Sequence, residues 1–193
     1  LYKELYEKSL NSPEEFWAEQ AEQYLSRVKK WDLVVQSDFE QGKIKWFSGG
    51  ILNAAYNCLD RHVETLKDKP AFHWEGDDPD QSYTATYVEL YERVNKFAAA
   101  LKARGVKRGD RVIMYMPMVV ELPIAMLACA RIGAIHCVVY SGFGPEALAY
   151  RIQNCLAKVV ITADGGFREG KPVALKSKVD AVLESCASVE LVI

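Results

Sequence analysis

The chain has 193 residues, which is enough for a medium-sized α/β domain with a substantial hydrophobic core. Half of the residues are hydrophobic and 26% are charged, as is typical of globular proteins. The 24 basic residues are balanced by 26 acidic ones, so the net charge is −2. No strongly basic field is present, and the composition therefore argues against nucleic acid or an acidic membrane as a partner.

The cysteine pattern and the apolar runs bear on the cellular compartment. Five cysteines occur without any C-x-x-C pair, and most lie in apolar stretches. We therefore expect buried free thiols in a reducing compartment rather than disulfides or zinc ligands. No signal peptide opens the chain, and its longest apolar run is too short to span a bilayer. A cytoplasmic location is predicted, with mitochondria as the open alternative, because the chain lacks an initial Met and a targeting segment could have been removed.

The first third of the chain is predicted to be mainly helical. Ser12, Pro13 and Glu15 are typical of a helix start, with Ser12 as the N-cap and Glu15 closing a capping box. The other elements predicted here are a strand over 43–47, a turn at 49–50 and a helix over 53–63. We expect residues 1–69 to form a helical N-terminal extension.

From position 70 onward, the pattern alternates between strands and helices. Thr86 and Glu89 predict a capping box, at the start of a helix that ends at Gly105. The other predicted elements are strands over 71–75, 81–85, 111–116, 135–140, 158–162 and 189–193, and helices over 120–132, 145–155 and 173–186. These β–α units predict a doubly wound, mostly parallel sheet flanked by helices over residues 70–193. The apolar strand at the end of the chain also indicates a sequence that has been cut.

Two glycine-containing loops follow strands of the predicted sheet, at the edge where such folds bind ligands. The loop over 140–144 precedes a helix N-terminus, so it suits an anion, although a tight turn that binds nothing is the alternative. The loop over 164–171 contains Arg168 and Lys171, which would hold a phosphate through a fork and a point charge. Two solvated cations that serve only solubility are the alternative there.

Other charged groups carry weaker signals. An Asp-Arg-His run at 60–62 lies on a predicted helix, where His62 is more often a packing residue than a catalyst. Four acidic residues within 75–80 fit a solvated turn better than a cation site, because their order does not match a calcium loop. No Ser-His-Asp arrangement or nucleophile elbow occurs. The residues alone therefore indicate no catalytic or metal-binding site.

Nine sequence segments, taken in order, resemble the N-terminal region of AMP-forming acetyl-CoA synthetases. They are FWAEQA (16–21), IKWF (44–47), LN with NCLDRH (52–62), WEGD (74–77), YVEL (87–90), YMPM (115–118), AMLACARIGA (125–134), GFGPEA (142–147) and ITAD (161–164). The match runs nearly from end to end. Many ordered segments at matching spacing make this resemblance far more specific than any single one.

The resemblance implies an adenylate-forming ligase that activates acetate, or a similar short carboxylate, with ATP and Mg²⁺ and then transfers the acyl group to CoA. It also implies that the phosphate loop, the carboxylate pocket, the ATP-binding residues and a mobile C-terminal domain follow residue 193. No catalytic residue is therefore assigned in this chain, which we expect to be inactive without the remainder of the protein. A stand-alone module that binds CoA or another nucleotide, or an interaction module without a ligand, is the alternative.

The resemblance also implies where CoA is held, since in the family its adenosine-phosphate end rests on the N-terminal domain. The family's Arg-x-x-Arg loop matches 168–171 and its aromatic-Gly-Gly-Phe loop matches 140–143. The implied CoA-binding residues are Arg168, Glu169, Gly170, Lys171, Tyr140, Ser141 and Gly142. Arg168 would hold the nucleotide, and Lys171 would face its phosphate. Lys171 replaces the second Arg and loses its fork, and Ser141 replaces a glycine and restricts that backbone.

Overall fold

The computed structural model describes all residues 1–193, which form two compact units. The first unit covers Leu1–Arg61 and the second covers His62–Ile193. The division into an extension over 1–69 and an α/β region over 70–193 stays a prediction. None of the helices combines the length and the apolar character that crossing a bilayer requires.

The first unit contains two helices, a β-hairpin and a π-helical turn. Its elements are α1 (Tyr2–Asn11), α2 (Pro13–Tyr24), β1 (Leu33–Asp38), β2 (Lys43–Ser48) and the π-helical turn Tyr56–Asp60, which leads into α3 (Arg61–Leu66). Strands β1 and β2 pair antiparallel, with Val35 opposite Trp46. The strand predicted over 43–47 and the helical region predicted over 53–63 are confirmed, and α1 and β1 are additional to the prediction.

The predicted capping box at Ser12 is wrong. Helix α2 does begin with Pro13 in its first turn, but the Ser12 side chain makes no capping hydrogen bond. Ser12 is also the C-cap of α1, and its N–H donates to the carbonyl of Lys8 at 2.9 Å. The same residue thus closes one helix and opens the next, and its backbone conformation (φ −138°, ψ 59°) does not direct the side chain to the N-terminus of α2.

The second unit is built around a four-stranded parallel sheet. Its elements are β3 (Pro70–Glu75), β4 (Ser82–Thr86), α4 (Tyr87–Ala103), β5 (Arg111–Tyr115), α5 (Glu121–Ile132), β6 (Ile135–Val138), α6 (Pro145–Cys155), β7 (Val159–Thr162), β8 (Gly165–Arg168), β9 (Lys171–Ala174), α7 (Lys176–Leu183) and β10 (Leu191–Val192). The strand order is β10-β7-β5-β6, and β3–β4 and β8–β9 are separate antiparallel pairs. The mixed α/β architecture with a parallel sheet confirms the predicted fold class.

Helices cover both faces of the sheet because its central strands are apolar on both sides. Alternate residues of β5 face opposite ways, and every residue from Val112 to Tyr115 is fully buried. Ile113 and Tyr115 belong to a core cluster shared with Leu148 and Ile152 of α6 and with residues of α7. Helices α4 and α5 also pack against each other, next to sheet residues that do not belong to this cluster. Helices on both faces thus bury the apolar side chains that the central strands carry on both sides.

Local signals place the ends of α4 correctly. The Thr86 hydroxyl accepts a hydrogen bond from the N–H of Glu89, and the Glu89 carboxylate accepts one from the N–H of Thr86, which completes the predicted capping box. At the other end, Gly105 has a φ of 84°, a conformation that costs glycine little. The N–H of Val106 then donates to the carbonyl of Leu101 at 3.0 Å, as in a Schellman motif.

Two predictions about the sheet region need correction. Residues 165–174 form the β8–β9 hairpin rather than a loop followed by a helix from 173, and α7 starts only at Lys176. The strand predicted over 135–140 ends at Val138, and because this strand, β6, lies at the sheet edge, its Ile135 and Val138 are exposed. The pairing of β8 with β9 decides the first outcome, and the lack of a neighbouring strand on one side of β6 decides the second.

The cysteines are all free, but they are not uniformly buried. Cys129 and Cys186 are buried, Cys137 and Cys155 are partly buried, and Cys58 is exposed. Burial raises the pKa of the Cys129 thiol to about 12. The expectation of buried thiols is therefore confirmed for two positions and wrong for Cys58, which lies on the exposed side of the π-helical turn.

Candidate functional site

The β8–β9 hairpin presents two cations on one face. Arg168 pairs directly with Lys171 across the antiparallel ladder, and opposite residues in such a ladder carry their side chains on the same face. Like charges in this arrangement repel each other unless an anion lies between or beside them. The Glu169 carboxylate is 3.9 Å from Nε of Arg168, but both side chains are largely exposed, so this contact contributes little. The hairpin tip is therefore suited to binding an anion that comes from outside the hairpin.

The turn that joins the two strands has an unusual backbone. Glu169 has a φ of 53° and Gly170 a φ of 73°, which together fit the two-residue type I′ turn that closes β-hairpins. Glycine adopts this conformation readily, whereas a glutamate there is strained by roughly 1–2 kcal/mol. The N–H groups of both residues donate to the carboxylate of Asp77, at 2.9 and 2.7 Å. The turn is thus held from outside the hairpin.

The structure brings together the two loops that the sequence singled out. Nη1 of Arg168 donates to the hydroxyl of Tyr140 at 2.8 Å, although the residues are 28 positions apart. The Arg168 side chain remains 61% exposed, so most of its guanidinium is still open to a ligand. The Tyr140 ring packs edge-on against Phe143, with ring centroids 5.6 Å apart. Hairpin and loop therefore form one surface with a cation at its centre.

The loop over 140–144 is fixed by a buried tyrosine at the end of β5. The hydroxyl of Tyr115 lies 2.6 Å from the carbonyl oxygen of Phe143 and 3.0 Å from that of Ser141. A Cβ at Gly142 would lie 2.3 Å from the Tyr140 ring, so glycine allows the ring to lie close to this backbone. These contacts hold Tyr140 in the position where it meets Arg168.

An open cavity of about 950 Å³ lies between the hairpin, the 140–144 loop and the β3–β4 turn. Four of the predicted residues line it: Tyr140, Ser141, Arg168 and Gly170. The other three, Gly142, Glu169 and Lys171, lie beside it without lining it. We call this space the hairpin cavity. Its volume falls at the upper end of the range typical of small-molecule sites, about 300–1,000 Å³.

Local sequence signals did not predict several of the residues that line the cavity. Trp74, Asp77, Pro117 and Met118 all line the cavity. The indole N–H of Trp74 donates to the carbonyl of Met118 at 2.7 Å, which ties the β3–β4 pair to the segment after β5. Trp74, Asp77, Pro117 and Met118 occur within the segments WEGD and YMPM, so the resemblance marks them, but nothing in their spacing predicts a shared cavity.

The weaker candidates have structural explanations. The His62 ring packs against Tyr87, with ring centroids 5.6 Å apart, as the packing interpretation predicts. In the acidic turn, the N–H of Asp80 donates to the Asp78 carboxylate at 3.1 Å, and Asp77 binds the hairpin. No group of three or more His, Cys, Asp or Glu side chains is arranged to hold a metal ion. The acidic turn is thus a structural feature of the hairpin cavity.

Two family descriptions match adjoining parts of the chain. Residues 59–193 match the family described as AMP-binding enzyme, and residues 2–58 match the description acetyl-coenzyme A synthetase N-terminus. Together these matches cover almost the whole chain. They agree with the order of the segments that carry the resemblance.

Curated relatives and a solved structure support the same family assignment. An acetyl-coenzyme A synthetase of Alkalilimnicola ehrlichii is 57% identical over 189 residues, which is 98% of this chain and 29% of that protein. One from Leptospira biflexa is 56% identical over 183 residues, which is 94% of this chain and 28% of that protein. The acetoacetyl-CoA synthetase of Streptomyces lividans superposes with a TM-score of 0.88 at 27% identity, covering 96% of this chain and 28% of that one.

The chain therefore spans a little under a third of the length of these relatives. Its match to the AMP-binding description extends over most of its residues, and its fold superposes on that of an acyl-CoA synthetase. The resemblance drawn from the sequence is thus confirmed. The chain belongs to the family of AMP-binding enzymes, the adenylate-forming ligases, and corresponds to the N-terminal portion of acetyl-coenzyme A synthetases.

Proposed function

We propose that the protein containing this chain is an AMP-forming acetate–CoA ligase, and that the hairpin cavity receives the nucleotide end of CoA. The ligase activates acetate, or a similar short carboxylate, with ATP and Mg²⁺ and then passes the acyl group to the CoA thiol. The relatives that carry the name acetyl-coenzyme A synthetase support the first part. The arrangement of Arg168, Tyr140 and Lys171 supports the second.

The contact between Arg168 and Tyr140 is the observation that carries the CoA assignment. It brings a largely exposed guanidinium to the rim of a cavity large enough for a nucleotide. A planar guanidinium can bind a phosphate through two parallel hydrogen bonds and can also stack on a base. Lys171, directly opposite, supplies a second positive charge to the same face. The phosphates of CoA would relieve the repulsion between these two cations.

In this proposal, the residues of the hairpin cavity bind and orient CoA but perform no step of the chemistry. The resemblance assigns the ATP phosphates and Mg²⁺ to parts of the ligase outside this chain. Holding the nucleotide end fixes the far end of a long substrate, and this restricts where the thiol can reach. The two half-reactions should therefore respond differently to changes at the hairpin.

Replacing Arg168 in the full-length protein tests the proposal. In Arg168→Ala, we expect the KM for CoA to rise about 10- to 100-fold, because a charge-assisted contact worth about 1.5–3 kcal/mol is lost. Acetate-dependent exchange of pyrophosphate into ATP, which reports on adenylate formation alone, should remain near the wild-type rate. The matched control is Arg104→Ala, which removes an exposed guanidinium at the end of α4 that does not line the cavity.

Other results would lead to different conclusions. If adenylate formation fell as much as thioester formation and the KM for CoA did not move, the hairpin would not be the CoA contact. If the full-length protein formed no adenylate but bound CoA saturably, it would be a binding module rather than a ligase. If it did neither, an interaction module without a ligand would be the remaining function.

A further inference from the structure

Asp77 connects two parts of the second unit that are distant along the chain. One oxygen of its carboxylate accepts the N–H of Glu169 at 2.9 Å, and the other accepts the N–H of Gly170 at 2.7 Å, across 92 and 93 positions. Both donors belong to the turn between Arg168 and Lys171. A single side chain from the β3–β4 turn thus binds both N–H groups of the hairpin tip.

The geometry of the hairpin turn explains why a carboxylate fits there. Glu169 and Gly170 both have positive φ values, of 53° and 73°. Successive N–H groups in such turns point into one concavity, which attracts an anion. An ionised carboxylate makes hydrogen bonds about twice as strong as those of a neutral acceptor. Asp77 therefore offsets the strain of placing a glutamate in this conformation.

The β3–β4 turn does not need the Asp77 carboxylate for its own closure. The N–H of Gly76 donates to the carbonyl of Gln81 at 2.7 Å, and the N–H of Gln81 donates to the carbonyl of Asp78 at 2.9 Å. These backbone bonds close the turn independently of any side chain. The contact with the hairpin is therefore the main interaction that the structure assigns to the Asp77 carboxylate.

We infer that Asp77 is a positioning residue for the CoA contact, which sets the orientation of the hairpin tip and so the direction of Arg168 and Lys171. This inference rests on the function proposed above. A type I′ turn fixes the twist of the two strands it joins, so releasing the turn would let both cations move. Asp77 need not touch the ligand, and its effect passes through the backbone of Glu169 and Gly170.

Two measurements on the full-length protein test this inference together. The first is the KM for CoA, which should rise about tenfold in Asp77→Ala while acetate-dependent pyrophosphate exchange stays unchanged. The second is trypsin cleavage of the Arg168–Glu169 bond, mapped by mass spectrometry. That bond lies at the turn, and Lys171 is followed by Pro172, which blocks cleavage there. We expect Arg168–Glu169 to be cut faster in Asp77→Ala than in the wild type.

Two further variants sharpen the test. Asp80→Ala removes the same charge from the same turn at a residue that does not line the cavity, and it should match the wild type in both measurements. Asp77→Asn keeps one acceptor oxygen but presents an N–H₂ to the second donor, so it should lie between the wild type and Asp77→Ala. Such graded behaviour would show that the pair of hydrogen bonds, rather than the bulk of the side chain, sets the effect.

The outcomes separate this inference from the proposed function. If cleavage at Arg168 were equal in Asp77→Ala and Asp80→Ala, Asp77 would not hold the turn and the inference would be overturned. If cleavage rose but the KM for CoA of an active ligase did not, Asp77 would hold the turn without positioning the CoA contact, which also overturns it. If the wild type made no acetyl-CoA at all, the proposed function would fail, and so would this role in CoA binding.

Discussion

The buried hydroxyl of Tyr115 lies 2.6 Å from the carbonyl oxygen of Phe143 and holds the loop that carries Tyr140. Tyr115 is the last residue of β5 and is fully buried. Its backbone carbonyl also accepts the hydroxyl of Thr162, at 2.8 Å, at the end of β7. One residue of the sheet therefore connects the core to the rim of the hairpin cavity.

Removing this hydroxyl should loosen the loop and weaken CoA binding. In Tyr115→Phe, the carbonyls of Ser141 and Phe143 lose their shared donor, so we expect the free energy of unfolding to fall by about 1–2 kcal/mol. Urea denaturation measures this change. The KM for CoA should rise in parallel because Tyr140 is no longer held in place. The matched control is Tyr150→Phe, on an exposed side chain, for which a change within about 0.5 kcal/mol is expected.

A methyl group at Gly142 should affect CoA binding more than stability. The added Cβ would lie 2.3 Å from Cε1 of Tyr140, so the exposed Tyr140 ring would have to shift, and we expect its hydrogen bond to Arg168 to be lost. Losing that hydrogen bond, worth about 0.5–1.5 kcal/mol, should raise the KM for CoA about two- to tenfold in Gly142→Ala. Steady-state kinetics of the full-length protein measure this, alongside pyrophosphate exchange, which should not change.

Gly144→Ala is the control for Gly142→Ala. A Cβ at Gly144 meets no atom within 4 Å, and its φ of −76° suits any residue. The KM for CoA should therefore stay close to that of the wild type. If both variants raised it equally, the effect would come from a general loss of loop flexibility, and the role assigned to the Tyr140 ring would be wrong.

The capping box at the start of α4 provides a test of the fold alone. Thr86→Ala removes the hydroxyl that accepts the N–H of Glu89, and it should lower the free energy of unfolding by about 1 kcal/mol. Thermal or urea denaturation would measure the loss. Thr65→Ala, at an exposed position within α3, is the matched control and should have little effect. Equal losses in the two variants would contradict the assigned cap.

The sequence predicted those parts of the fold that depend on neighbouring residues. Helix α4 was delimited by Thr86, Glu89 and Gly105, whose capping roles are local. Strands β5 and β7 were marked by apolar runs that only a doubly covered sheet can bury. In these cases, the local preference and the global fold agree, so a short window of sequence contains enough information to predict the element.

The β8–β9 hairpin shows why the rest could not be predicted. Its glycines and Pro172 are typical of a loop, and its turn is held by Asp77 from 92 positions away. Strand β1 was missed for another reason, because it is defined mainly by its pairing with β2, the next strand along the chain. Of the site, the resemblance supplied Arg168 and Tyr140, whereas their contact and the supporting roles of distant residues became visible only in three dimensions.

The burial of Cys129 predicts a pH-dependent contribution to stability. Its pKa is raised to about 12 from an ordinary value of 9.0, because the interior disfavours the thiolate. The folded state therefore holds its proton more tightly than the unfolded state does. This contribution is fully present below about pH 9 and is lost as the pH rises towards 12. The difference in unfolding free energy between the wild type and Cys129→Ala should shrink over that range.

Alkylation with iodoacetamide checks the same burial near neutral pH. Cys58 is exposed and should be modified in the folded protein, whereas Cys129 should react only after denaturation in urea. Mass spectrometry of the digested protein locates each modified thiol, and Cys58→Ala should abolish the rapid labelling at that position. Equal labelling of Cys58 and Cys129 in the folded protein would show that α5 opens readily. A pKa set by burial would then not describe Cys129, and the predicted loss of stability above pH 9 would not occur.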